Sequence, residues 1–428
     1  MRRLLALLTC VAVFGTAIVW SGTPPTETPL VSKNATAKFW KGNLHTHTLW
    51  SDGNQFPEMV ADWYKARGYH FLSLTDHDVL SEGERWIALD PKKHFPERYV
   101  DRFGEAWVER RDNKGKAEIR LKPLEEFRSL LEEPGRFLLI QGEEITKKFA
   151  KFPVHVNAIN VRDRVVGSDG AGVKETVQVS HRLVGDQRQR TKRPMFAFLN
   201  HPNFGYGVRA EDFAALEEAR LFEVYNGHPG VKNYGDETHA STERIWDIIL
   251  AQRIGKHRLP LLLGLATDDA HNYHEVGPKA ANPGRGWIMV RSRLLTAESL
   301  VRAIEAGDFY ASTGVVLRDV GVQGMDLFVS IEPRAGVEFT TEFIATMRDA
   351  PLDGTPVLDK DGKELPVTKT YSPEIGKVVG STAGNEATYR MTGNELCVRA
   401  RVTSSRAHPN PFKAGDREMA WTQPIAPK

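Results

Sequence analysis

Residues 69–78 read YHFLSLTDHD, an apolar run that stops at Thr75, Asp76, His77 and Asp78. A run this short, apolar at consecutive positions, fits a strand buried on both faces. The pattern recurs on either side. KFWKGNLHTHT (38–48) precedes it, and RFLLIQGEEIT (136–146), FPVHVNAINV (152–161), RPMFAFLNHP (193–202), LFEVYNGH (221–228), LPLLLGLATDDAH (259–271) and RGWIMVRS (285–292) follow. Helical patterns separate several of these runs. Residues 56–68 put Met59, Val60, Trp63 and Ala66 on one helical face, and residues 237–256 and 296–306 are similar. Strands alternating with helices predict an α/β fold built on a parallel sheet or barrel. Almost every polar cluster follows a strand, and in a (β/α) barrel the strand C-terminal ends build the active site. Polar residues far apart in the chain would then converge.

The 428 residues are 41% hydrophobic and 26% charged, which excludes a disordered, collagenous or polytopic membrane chain. That length suits two or three domains, or one large barrel with additions. Lys and Arg number 57 against 55 Asp and Glu, and leaving out Arg2 and Arg3 gives 55 of each. With no basic run, there is no electrostatic footprint for nucleic acid. Fourteen histidines against two cysteines mean that any metal chemistry uses nitrogen and oxygen ligands.

Met1, Arg2 and Arg3 precede an apolar run (4–20) and the polar stretch SGTPPTETP. Residues 1–22 therefore read as an export signal, with a retained N-terminal membrane anchor as the competing reading. Either places the protein outside the cytoplasm, periplasmic or extracellular. Removal of the leader takes Cys10 and leaves Cys397 alone. Asn34-Ala35-Thr36 is a glycosylation pattern, meaningful in a eukaryotic source only. Residues 23–37 form a linker and 38–316 the barrel, interrupted at about 90–135 by a charged insertion expected as a solvated flap or hairpin. From 317 to 428 short alternating runs predict a β-rich second domain, or a β appendage on the barrel.

The chemistry lies at the strand ends. His45 and His47, two apart on a strand, face the same way and can reach one metal ion; Asp52 follows. An HxH pair alone is more often a hydrogen-bonded surface turn. Further on come Asp76, His77 and Asp78, then Glu143 and Glu144, His155, His201, Asp268, Asp269 and His271. Each fragment has a plain explanation as a cap or a solvated turn. Six histidines and at least four carboxylates, all at predicted strand ends, are hard to explain as coincidence and suffice for two or three divalent ions.

Taken in order, HTHTLWSDG, LTDHD, QGEE, VHVN, NHP and TDDAH resemble the PHP (polymerase and histidinol phosphatase) superfamily over residues 39–316. The leader, the TDDAH form, the PGRGW segment and a tail ending in AWTQP resemble its exported, carbaryl-esterase-like metallohydrolases. The resemblance implies a distorted (β/α)7 TIM-like barrel with a C-terminal β-rich appendage and a trinuclear centre of zinc, manganese or iron. It implies that His45, His47, Glu144 and Asp269 hold one ion. Glu144, His155 and His201 would hold a second, with Glu144 bridging, and Asp52, His77 and His271 a third. The family's spacing selects Glu144 and Asp269, while the residues alone leave Glu143 and Asp268 open. No polymerase domain accompanies the barrel.

Clustered divalent ions bring the pKa of bound water toward neutrality and neutralise a substrate oxygen. The expected reaction is hydrolysis of a small phosphate ester by a bridging hydroxide. Arg285 is a candidate phosphate clamp, or else a surface arginine in a Gly/Pro turn. His228 is a candidate general acid, or else a turn histidine. Trp50, Phe204, Tyr206 and His274 could border a pocket or simply pack loops, and Thr313 and Gly314 mark a tight turn. His70, His94, His181, His239, His257 and His408 lie away from the strand-end motifs. A carboxyl-ester or carbamate hydrolase could use the same centre. A third possibility is a non-enzymatic module whose tail binds a glycan or a partner. Nothing in the sequence fixes the oligomeric state.

Overall fold

The eight apolar runs are strands of one large sheet in the computed structural model, which describes residues 36–427. The apolar leader, most of the linker and the start of the glycosylation pattern lie outside the described residues. Among those described, no helix is long and apolar enough to cross a membrane. The strands that matter for the site are β1 (Lys38–Asn43), β2 (Phe71–Leu74), β3 (Leu138–Phe149), β4 (Phe152–Ile159), β5 (Phe196–Leu199), β6 (Leu221–Asn226) and β7 (Leu263–Thr267). They are followed by β8 (Trp287–Ser292) and β9 (Phe309–Ser312).

β1, β2 and β3 are parallel neighbours, as are β5, β6 and β7. The expected parallel order fails at β4, which is antiparallel to both β3 and β5. Phe149 stands opposite Phe152, so only Ala150 and Lys151 connect β3 to β4. A two-residue connection can make only a hairpin, since a parallel pair needs a crossover of about a dozen residues or more. The fold is thus a mixed α/β sheet. Just past the strands, Thr46 bridges Ala270, with Asp269 N donating to His45 O and His47 N to Ala270 O, both at 3.0 Å. The end of β7 therefore lies beside the end of β1.

On its other edge β1 pairs antiparallel with β8, and the sheet continues through β9, Arg417–Thr422, Glu395–Ala407, Phe339–Met347 and Lys377–Ala383. The β-rich tail thus extends the sheet that carries β1. A second sheet of Leu317–Gln323, Asp326–Ile331 and Glu386–Arg390 shares its apolar core.

Trp40, Phe71, Ile140, Ile159, Phe198 and Leu265 form one apolar core with Leu300, Val301 and Ile304, each side chain contributing about 2 kcal/mol by burial. The helices flanking the sheet include α1 (Pro57–Ala66), α2 (Val173–Thr191), α3 (Thr242–Gln252) and α4 (Ala297–Glu305). Three of these fall where the periodicity placed them. The buried face of α1 is Val60, Ala61 and Tyr64, however, and Ala66 is exposed. Tyr64 turns inward because its hydroxyl reaches a buried carboxylate, donating to Asp268 Oδ2 at 2.7 Å.

The charged insertion is partly the expected hairpin. Arg110–Asn113 and Lys116–Leu121 pair across Lys114 and Gly115, both at positive φ, with Arg85–Ala88 as a third strand. Its inner residues Ile119 and Leu121 pack with Trp50, Phe56 and Tyr99. Trp50 is 2% exposed and donates to Lys122 O at 3.3 Å, so it packs the rim.

Candidate metal centre

The residues just after β1 carry the first part of the site. Thr46 N donates to Thr75 Oγ1 at 3.0 Å, and Asp76 accepts from Thr48 N and Thr48 Oγ1, both at 2.8 Å. Pinned in this way, His45 and His47 are fully buried. Their Nε2 atoms converge on the same two carboxylates. They lie 3.3 and 3.2 Å from Glu144 Oε2, and 3.2 and 3.1 Å from Asp269 Oδ1. Donors so spaced suit a shared ion, because each then sits about 2.0–2.2 Å from it. His45 Nε2, His47 Nε2 and Glu144 Oε2 are buried without a hydrogen-bond partner. Burying such atoms unpaired is costly, and a cation among them removes the cost. The donor set therefore fits a divalent metal.

Two further groups adjoin this one. Glu144 Oε1 lies 3.0 Å from His155 Nδ1 and 3.3 Å from His201 Nε2, so the carboxylate stands between two sets of imidazoles. Asp52 faces His271 Nε2 at 3.3 Å and His77 Nε2 at 3.6 Å. His77 Nδ1 also approaches Glu144 Oε2 at 3.0 Å and Thr146 Oγ1 at 2.6 Å, joining the groups. Asp52 is the exposed member. Its turn closes because residue 53 is glycine: a Cβ there would lie 2.5 Å from the His47 carbonyl carbon. All nine residues proposed as ligands thus fall within metal-sized groups of nitrogen and oxygen donors.

The geometry separates the adjacent acids. Glu143, on the opposite face of β3, accepts from Val165 N, and burial pushes its carboxyl up to about 7. Asp268 accepts from the amides of Gly284, Arg285 and Gly286 and from Tyr64. Glu144 and Asp269 face the imidazoles. Burial opposes their charge, but the surrounding histidines outweigh it and hold both well below the usual carboxylate range. Burial likewise opposes charge on His45, yet Asp269, Glu223 and Glu144 hold its pKa well above the usual value.

Glu223 was not among the residues singled out. Fully buried in β6, its Oε1 lies 2.7 Å from His45 Nδ1 and its Oε2 accepts from His201 N at 2.7 Å. The signal was an acid inside an apolar run, LFEVYN. Asn226 donates to Asp269 Oδ2 at 3.1 Å, and Asn200 to Glu144 Oε1 at 2.7 Å.

Two expectations need correction. Arg285 is fully buried, and its guanidinium donates to the carbonyls of Gly227, Ala280 and Gly277, each at 2.8 Å, and to Asn410. Its two terminal nitrogens tie loops together, so the fork that would grip a phosphate is already engaged, with only the buried Nε unpartnered. His228 does reach the rim, its ring 5.3 Å from that of His271. Its Nδ1 accepts from Gly230 N, and burial pushes its pKa to about 4. The neutral ring carries its proton on Nε2, which suits a hydrogen-bond donor and not a general acid. Phe204 borders the centre, 5.1 Å from the His201 ring, whereas Tyr206 stacks on His239 and donates to Asp236. His274 lies against Asn54 O, and Thr313 accepts from Met419 N.

No family model and no curated protein matches the chain. Among solved structures, the chain is similar to a two-domain protein from Bacteroides vulgatus containing a predicted PHP-like metal-dependent phosphoesterase. Identity is 15% over 91% of this chain and 96% of that one, with a TM-score of 0.37. It is also similar to a candidate metal-dependent phosphoesterase from Bifidobacterium adolescentis, 13% identical over 54% and 87% with a TM-score of 0.28. A third is an amidohydrolase from Chromobacterium violaceum with bound sulfate and no metal, 14% identical over 56% and 93%, TM-score 0.24.

Proposed function

We propose that the chain is a PHP-type metallohydrolase whose nine clustered donors hold three divalent ions and which cleaves small phosphate esters. On this reading β1 to β7, returning through the Thr46–Ala270 bridge, are a distorted barrel and residues 317–428 its appendage. The observation that carries it is the convergence of His45 Nε2, His47 Nε2, Glu144 Oε2 and Asp269 Oδ1, three of them buried and unpartnered. Zinc, manganese or iron bound there would supply Lewis acidity and activate water near neutral pH.

The chain's own residues prepare the site. Glu223 accepts a hydrogen bond from His45 Nδ1–H, which leaves the Nε2 lone pair facing inward. Asn200 and Asn226 fix the two central carboxylates by donating to their outer oxygens. Phe204 and His155 border the approach, and His228 presents an Nε2 proton that a substrate oxygen can accept. Export, by signal peptide or anchor, belongs to the same reading and rests on residues 1–22.

The burial of Arg285 favours a second reading. Without that guanidinium nothing singles out phosphorus, and the same centre serves a carboxyl-ester or carbamate hydrolase. Assays of metal-loaded protein on phosphomonoester, phosphodiester and carboxyl-ester chromogenic substrates separate the two. Turnover of a phosphate ester that falls to background in His45→Ala/His47→Ala is the expected result. Carboxyl-ester turnover alone would establish the second reading. Activity on none, or activity indifferent to the variant, contradicts both.

A further inference from the structure

The hairpin of β3 and β4 runs outward from the metal centre. Side chains alternate along a strand, so Glu144, Thr146 and Lys148 share one face of β3. Thr146 stands opposite His155, and Lys148 opposite Pro153. The face that supplies Glu144 and His155 to the centre thus continues, two and four residues on, to Thr146 and then Lys148. Lys148 lies about 13 Å along the strand from Glu144, at about 3.3 Å per residue. Lys147 alternates off that face, also borders the cleft above it, and is paired with Asp78 Oδ1 at 3.0 Å.

A cleft of about 810 Å³ covers this ledge, lined by Thr146, Lys148, Lys151, Pro153, His155 and Phe204 among others. His155 belongs both to the cleft and to the donor group with His77 and Glu144, so the cleft opens onto the centre. Phe204 forms an aromatic wall, its ring 6.0 Å from that of His155. At the outer end Lys148 and Lys151 make no ion pair among the described residues. Asp169 also lines the cleft and is engaged by the backbone amide of Lys148 at 3.3 Å. The ledge therefore places an aromatic and apolar passage between the candidate metal centre and two ammonium groups that make no ion pair among the described residues, beside one carboxylate, Asp169.

We infer that this cleft is the subsite for the leaving-group side of the substrate. It selects esters whose leaving group is flat and carries a second negative charge about a ring's width from the scissile bond. Pro153 and Phe204 hold the flat part, and Lys148 and Lys151 attract the distal anion, be it carboxylate or phosphate. The inference rests on the hydrolase reading, because the reacting end must sit at the nine-donor centre.

Binding and turnover test it together. Metal-loaded protein is titrated by calorimetry with phenylphosphonate and with 4-carboxyphenylphosphonate, and phosphate release is followed from phenyl phosphate and 4-carboxyphenyl phosphate. The 4-carboxyl member should bind and react about tenfold better, and the advantage should shrink as salt is raised. Lys148→Gln/Lys151→Gln, with an unchanged thermal melt, should lose that advantage while its affinity for phenylphosphonate stays within about twofold. Equal affinity for the two phosphonates in the unmodified protein overturns the subsite and leaves the hydrolase reading standing. So does a carboxylate preference that survives the double substitution. If neither phosphonate binds and neither ester reacts, the phosphoesterase reading fails and takes the subsite with it.

Discussion

Glu223 holds two histidines of the centre through one carboxylate. It accepts from His45 Nδ1–H and from Thr267 Oγ1, both at 2.7 Å, and fixes the backbone of His201. A neutral amide cannot compensate the His45 ring in the same way. Glu223→Gln should lower divalent-metal affinity about 10–100-fold while leaving the fold intact; metal titration with circular dichroism checks it, and an unchanged affinity would contradict the role. Such supporting residues were poorly legible in the sequence, because attention to strand ends passes over an acid in mid-strand. The ligand positions were more legible, since a period of two puts His45 and His47 on one face. The residues alone left Asp268 and Asp269 open, and only the spacing of the resembled family selected Asp269. Asp269 takes φ 50, and that left-handed backbone, which breaks the alternation, appears only in three dimensions.

At the scale of elements, strands and the main helices followed from apolar runs and helical periodicity. Strand direction did not. Ala150 and Lys151 carry no Gly or Pro to announce a hairpin, yet two residues permit nothing else. Helix α2 offers a pH test of its packing. His181 lies buried on it, its Nδ1 donating to Val177 O at 3.0 Å, and burial pushes its pKa to about 4. Its value in the unfolded chain is about 6.5. As pH falls through 6.5 the unfolded state takes up the proton first. This share of stability is therefore complete above that pH and lost between 6.5 and 4, with a ceiling of about 3 kcal/mol. Denaturant melts at pH 7.5, 5.5 and 4.5 should show a shallower pH dependence in His181→Gln than in the unmodified protein; identical slopes would contradict the burial argument.

Across the whole molecule, the tail is joined to the rest of the fold by more than sheet pairing. Arg399, on strand Glu395–Ala407, makes a bidentate pair with Asp247 of α3 at 2.8 and 2.9 Å. Arg285 reaches Asn410 from beneath the centre. No local pattern in the sequence signals such links, because they depend on side chains more than 100 residues apart. Arg285→Met would leave the buried Gly227 carbonyl without its donor and remove one donor each from the Ala280 and Gly277 carbonyls, at a cost of about 1–3 kcal/mol of stability. Bound metal should stay near its full complement at low temperature. A phosphate clamp would behave oppositely, raising KM with no change in the melt.

On the proposed reading, the buried donors around Glu144 and Asp269 hold a cluster of divalent ions. Elemental analysis of the metal-replete protein, beside His45→Ala/His47→Ala, tests it most directly. Two or more, and at full loading three, divalent ions per chain are predicted, with at least one lost from the variant. Fewer than two ions per chain, or a complement unchanged by removing both imidazoles, would contradict it.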